Sequence, residues 1–189
     1  MMPYFLFSEH ATVANRPGEK LPGSVEYATV LLYYRARATF PLNREDGCDK
    51  LFGGGVEATD HNPRAAAIRE LREELPQYDN LQRPGFAIAQ GPEITIHCPE
   101  TEWSDPQSIH FYWGEIGRAP EIKTALPVYA LFQAFEFAAN TEIAEAMQSI
   151  LITHIPDEIQ CKTIGAYPLT TVTYEHLPLA HISTTMEFA

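Results

Sequence analysis

The longest apolar run in the chain is VEYATVLLYYRARATF, Val25 to Phe40. It is rich in β-branched and aromatic residues, which predicts one long, largely buried strand. Ahead of it, residues 11 to 24 (ATVANRPGEKLPGS) carry the Pro and Gly of a loop. DGCDKLFGGG reads as a turn and then a short strand running into glycines. The period changes after Asn62-Pro63. Ala67, Ile68, Leu71 and Leu75 fall within one arc at helical spacing, so a helix is predicted from Pro63 to about Leu75, stopped by Pro76. Asn suits the N-cap, and Pro suits the first helical position, where its missing N–H would have had no partner.

Two more strands are predicted, FAIAQGPEITIHC, broken at Gly91-Pro92, and the more continuous SIHFYWGEI from Ser108 to Ile116. Ile143, Met147, Ile150 and Leu151 recur at helical spacing, giving a helix with one buried face that Asn140 or Thr141 would cap. PVYALFQAFEFAAN is apolar throughout and fits helix or strand equally. After Pro156 the segment AYPLTTVTYEHL suggests a strand or two. Strands before and after a central helix, with a later helix, predict a sheet covered by helices.

Composition narrows the class. A chain of 189 residues with 45% apolar and 20% charged residues suits one folded domain, residues 1–189. Its net charge of -12 argues against a broad nucleic-acid or anionic-membrane surface, which needs dense Lys and Arg. A small phosphorylated ligand remains compatible, because a bound divalent cation can reverse the local field. Cys48, Cys98 and Cys161 are odd in number and lack paired spacing, so neither a disulfide framework nor a structural zinc site is expected. No membrane-length apolar stretch or basic-flanked leader is seen, and a reducing cytoplasm is the simplest compartment.

The central helix poses the chemical question. Glu70, Glu73 and Glu74 are related by three and four residues and share an arc about 100° wide, where they repel one another. Solvated glutamates pairing with Arg69 or Arg72 would gain about 0–1 kcal/mol per pair. A Gly-rich turn before the helix changes the picture, since it can bring backbone carbonyls near the same carboxylates. Hard oxygen ligands of this kind suit Mg²⁺ or Mn²⁺.

These residues carry a resemblance. GGGVEATDHNPRAAAIRELREEL is similar to the Nudix box, G-x(5)-E-x(7)-R-E-U-x-E-E-x-G-U with U aliphatic, here spanning residues 54 to 76. Arg69-Glu70-Leu71-Arg72-Glu73-Glu74 matches R-E-U-x-E-E at every defined position, and Gly53-Gly54-Gly55-Val56-Glu57 supplies the GG-x-x-E that members often carry ahead of it. There are departures. Family spacing counted back from Arg69 puts His61 at the first Glu. Spacing counted from GG-x-x-E puts Asp60 there with one inserted residue, and this alignment is preferred because it keeps an acid. Pro76 replaces the usual Gly and Gln77 the aliphatic.

The resemblance implies an α+β fold, an α/β/α sandwich on a central mixed sheet. It also implies a hydrolase cleaving the diphosphate of a nucleoside-diphosphate-linked small molecule with Mg²⁺ or Mn²⁺. Glu73 and Glu74 would be the main metal ligands, joined by Glu70 and the Gly54 carbonyl. Glu70 would also help activate water, and Arg69 would orient the carboxylates. Many members add a later carboxylate as base, for which Glu115 is the first candidate and Glu121 the second. Segments about 1–24 and about 156–189 would be family-variable extensions, forming a homodimer surface or a substrate lid as in ADP-ribose and nucleotide-sugar members. The competing expectation is a Nudix-like nucleotide-binding or sensor domain without turnover, which the Asp60-His61 loop and Pro76 keep open. No G-x-x-x-x-G-K-[ST], G-x-G-x-x-G or G-x-S-x-G occurs, and the Cys and clustered His of an isopentenyl diphosphate isomerase cannot be placed.

Overall fold

In the computed structural model of the chain, the residues described are 7, 10–45, 48–75, 87–117, 124–136, 140–156, 172–173 and 181–184. The frame is a pair of ten-residue strands, β2 (Val25–Tyr34) and β8 (Gln107–Ile116), which run parallel in full register from Val25 opposite Gln107 to Tyr34 opposite Ile116. β5 (Phe52–Gly55) pairs antiparallel with β2, and β7 (Ile94–Cys98) pairs antiparallel with β8. β1 (Thr12–Val13) lies on the outer edge of β7. β6 (Ala87–Ile88) continues along the β8 edge beyond the Gly91-Pro92 break. The sheet is therefore mixed, as expected.

The run from Val25 to Phe40 is not one strand. A 3-10 turn at Arg35–Arg37, closed by Ala38 at φ 50°, reverses the chain into β3 (Thr39–Glu45). Apolar content could not show this turn, because no Gly or Pro marks it. β3 pairs with β4 (Cys48–Lys50) and with β9 (Thr124–Pro127). The undecided segment resolves into that strand followed by a helix, α2 (Val128–Glu136). In the tail, β10 (Val172–Thr173) pairs with β11 (His181–Thr184), which pairs with β4. Most of the C-terminal extension, with Pro76, Gln77, Glu121 and Cys161, lies outside the described residues.

Strand alternation sorts the two faces. One face presents Ala28, Val30, Leu32, Phe52, Tyr112 and Ile116 to Ala66, Ala67, Leu71 and Leu75 of α1 (Pro63–Glu74). The other presents Leu31, Tyr33, Phe40, Phe111 and Trp113 to α2 and to α3 (Thr141–His154), the last through Ile143, Met147, Ile150 and Leu151. The result is an α/β/α sandwich. Both predicted caps form: Asn62 accepts from Ala65 N–H at 2.9 Å and Asn140 from Ile143 N–H at 3.0 Å.

At the start of β2, the α1 face is lined by polar groups. His110 is fully buried, with Nδ1 2.9 Å from Thr95 Oγ1 and Nε2 3.2 Å from Glu26 Oε1. The Glu26 carboxylate can only accept, so the neutral ring donates from Nε2 to it and Nδ1 accepts the Thr95 hydroxyl proton, while Thr95 Oγ1 accepts from Gly18 N–H at 2.7 Å. Ser108 Oγ accepts from Leu21 N–H at 2.9 Å and meets Ser24 Oγ at 2.7 Å. These bonds bolt loop 14–24 to the sheet. Burial holds the His110 pKa below its ordinary value despite the pull of Glu26. The unfolded chain therefore takes up a proton near pH 6.5 that the folded chain refuses, and stability is lost as pH falls through that window. Denaturant titrations should show the stability of the wild type falling more steeply between pH 8 and pH 5.5 than that of His110→Asn. Parallel curves would mean that the ring does not carry this pH dependence.

Candidate functional site

Three consecutive glycines let the box fold back on itself. Gly53 has φ 140°, and a side chain there would strike the backbone carbonyl of Ala28. Gly54 sits opposite Ala28 in the β2–β5 ladder, and a Cβ on it would collide with the Glu70 carboxylate. A bare backbone at both positions is what allows β5 and α1 to approach so closely.

Arg69 closes the unit. Its Nη2 donates to the Gly55 carbonyl at 2.8 Å and to Asp60 Oδ2 at 3.1 Å, and its Nε to Asp60 Oδ1 at 3.3 Å. Its Nη1 donates to Glu70 Oε1 at 2.7 Å and lies 3.5 Å from Glu73 and 3.8 Å from Glu57. Asp60, rather than exposed His61, is the loop residue turned inward, and it also accepts from Glu57 N–H at 2.9 Å. The guanidinium beside Asp60 holds that carboxyl below the usual range, while Asp60 and Glu70 raise the Arg69 pKa.

The three helix glutamates stand in different surroundings. Glu73 is exposed, whereas Glu70 lies half-buried against Gly54. Glu74 is largely buried and accepts from Gly53 N–H at 2.8 Å and from Asn43 Nδ2 at 2.7 Å, with Lys50 Nζ 3.7 Å away. Burial pushes its pKa up to about 7 despite these partners, and Glu70 adds to the rise. Sequence reading missed Asn43 and Lys50. The signal in the sequence was the dipeptide Asp46-Gly47, which favours a hairpin; in the structure Asn43 stands opposite Lys50 in the β3–β4 ladder.

The structure does not bring Glu115 to this cluster. It falls opposite Tyr33, five residues along β2 from Ala28, or roughly 17 Å at strand rise. It also projects from the other face of the sheet, with Phe111 and Trp113, and its Oε1 pairs with Arg35 Nε at 2.5 Å. Alternation along β8 dictates that face, and no motif there could reveal it.

Among the described residues, no three His, Cys, Asp or Glu side chains form a ready-made metal cage. The donor set nevertheless fits a hard divalent cation. Glu70 and Glu74 sense each other's charge, Glu70 lies against a glycine backbone, and a carboxylate with a pKa of about 7 has a proton to exchange for a cation.

No protein-family model matches the chain, and no curated protein matches it. Solved structures similar to it include a C. elegans Ap4A hydrolase, at 15% identity over 69% of this chain and 98% of that one, with a TM-score of 0.49. A mutant of the Bacillus subtilis pyrophosphohydrolase BsRppH matches at 15% identity over 77% and 92%, TM-score 0.47. The E. coli dihydroneopterin triphosphate pyrophosphohydrolase matches at 14% over 68% and 95%, TM-score 0.45. Likenesses this distant leave the functional reading to the residues of the site.

Glu74 gives a pH signature in metal-free protein. Its folded pKa of about 7 exceeds its model-peptide value of 4.5, so its favourable contribution is present below pH 4.5 and is lost as pH rises through 7. In chelator, Glu74→Gln should gain on the wild type between pH 4.5 and pH 8, by roughly 3 kcal/mol at about 1.4 kcal/mol per pKa unit. A pH-independent difference between the two denaturation curves would refute the raised pKa.

Proposed function

We propose that this chain is a Nudix hydrolase that cleaves the diphosphate of a nucleoside-diphosphate-linked small molecule, of nucleotide-sugar or ADP-ribose type. One observation carries the reading. A single guanidinium bonds the carbonyl of the glycine turn, the loop acid Asp60 and the helix acid Glu70, so that the separated parts of the box act as one rigid unit. A surface helix with solvated charges has no need of such a part-buried cross-link.

Glu70, Glu73, Glu74 and the Gly54 carbonyl would hold Mg²⁺ or Mn²⁺, which when bound neutralises the diphosphate and acidifies a water for attack on phosphorus. Arg69 keeps Glu70 and Glu73 aimed at one place while its other edge fixes loop 55–60. Asn43 and the Gly53 N–H orient Glu74, which would give up its proton to a bound cation. Glu70, against the bare Gly54 backbone, would help to activate the water. Glu115 has no part in this scheme.

A domain that binds nucleotide without turnover is the second reading. Its support is that Glu74 faces Asn43, Lys50 and Gly53, whereas Glu73 faces Arg69 and solvent. Phosphate release from nucleoside triphosphates, ADP-ribose, nucleotide sugars, dinucleoside polyphosphates, NADH and coenzyme A, with Mg²⁺ or Mn²⁺, separates the two. Turnover of one class should fall at least a hundredfold in Glu73→Gln and stay within about threefold of the wild type in Glu115→Gln. Mg²⁺ should raise the Tm of the wild type by preferential binding to the folded form, and less so that of Glu73→Gln. A metal-dependent Tm with no turnover across the panel favours the binding domain.

A further inference from the structure

The polar patch beside the box contains a carboxylate that the scheme above does not use. Glu26 faces the same side of the sheet as Ala28, and Ala28 is paired with Gly54, the residue against which Glu70 lies. Strand geometry puts the Cα atoms of Glu26 and Gly54 roughly 8 Å apart. The Glu26 side chain is 20% exposed, so part of it reaches the surface.

Two bonds fix that carboxylate and a third fixes the backbone that carries it. His110 donates to Oε1, Lys20 Nζ donates to Oε2 at 2.8 Å, and the backbone carbonyl of Glu26 accepts from Val56 N–H at 2.9 Å. The acceptor-only carboxylate fixes the Nε2–H tautomer of His110, and the Thr95 hydroxyl at Nδ1 holds the ring in place. Each carboxylate oxygen carries two acceptor sites and spends one here, leaving one on each oxygen.

Two other roles fit poorly. A general base needs a pKa near working pH, yet the Lys20 and His110 hydrogen bonds outweigh burial and hold Glu26 below its ordinary value. A metal ligand would have to surrender the Lys20 ion pair, and no His, Cys, Asp or Glu cluster surrounds Glu26 among the described residues. What remains is an oriented anion with two free, adjacent acceptor sites. Such a group matches two adjacent O–H donors.

We propose that Glu26 is a specificity residue that accepts hydrogen bonds from the vicinal hydroxyls of the nucleoside ribose, with His110 and Lys20 as its positioning residues. This rests on the diphosphate reading of the neighbouring site and names the moiety that lies beside it.

The test uses ADP and 2′,3′-dideoxy-ADP as probes, titrated calorimetrically into the full chain with Mg²⁺. The wild type should bind ADP at least tenfold more tightly than the dideoxy compound, because losing the donors strands a buried-edge carboxylate. In Glu26→Gln the two should bind within about twofold of each other, with the Mg²⁺-induced rise in Tm unchanged. His110→Gln should shrink the ADP preference partway while keeping the fold. An equal ratio in wild type and Glu26→Gln overturns the proposal, and so does a wild type that does not distinguish or does not bind the two probes. If diphosphate turnover still depends on Glu73 in that case, the hydrolase reading survives and only the role of Glu26 fails.

Discussion

Crowding of negative charge is the constraint around which the site is built, and the Arg69 guanidinium is what relieves it. Glu57, Asp60, Glu70 and Glu73 all lie within 4 Å of its nitrogens, in a chain whose net charge is already -12. Its planar fork reaches two elements at once, with one edge on the loop and the other on the helix. Lys at this position would offer one point charge and could not bond the Gly55 carbonyl while also serving Asp60 and Glu70. Much of the carboxylate repulsion is thus offset by the protein itself before any cation is considered.

Glu74 is relieved by other means. It is turned away from Arg69 into a pocket between strands, where Gly53 N–H and Asn43 donate to it and Lys50 stands nearby. Desolvation still outweighs these partners, so the group holds a proton to near neutrality. The helix therefore presents two kinds of acid. Glu70 and Glu73 lie beside a cation of the protein, and Glu74, turned away from it, has its pKa pushed up to about 7 by burial. A cation bound at such an acid would displace its proton.

The sheet divides its labour by face. The side covered by α2 and α3 is apolar and aromatic, with Tyr33, Phe40 and Trp113 rings 5.4–5.8 Å apart, and serves as core. The side under α1 is apolar only as far as the helix reaches. Beyond it, the same alternation continues with part-exposed Glu26 and with Thr95, Ser108 and His110, buried polar groups that would be costly if they did not satisfy one another, Glu26 and loop 14–24. The change from apolar to polar along β2 and β8 occurs where Gly54 brings Glu70 onto the sheet.

What the sequence determined by itself was local chemistry. Asn62-Pro63 started α1, the Ala67–Leu75 arc buried it, the glycines ended β5, and R-E-L-x-E-E set the spacing of the acids, because caps, periods and glycine conformations act within a few residues. It could not show that a turn at Arg35–Arg37 splits the long apolar run, since those residues give no turn signal. Nor could it show which acid the loop turns inward, and proximity in the box left Asp60 and His61 both open until Arg69 was seen to bond Asp60. Only the tertiary structure decided the fates of Glu115 and Glu26. Both are glutamates on long strands that pair with each other, but one falls on the far face beside Arg35 and the other on the near face beside His110. Register and facing are set by pairing between segments some eighty residues apart, and no local pattern in either segment carries that information.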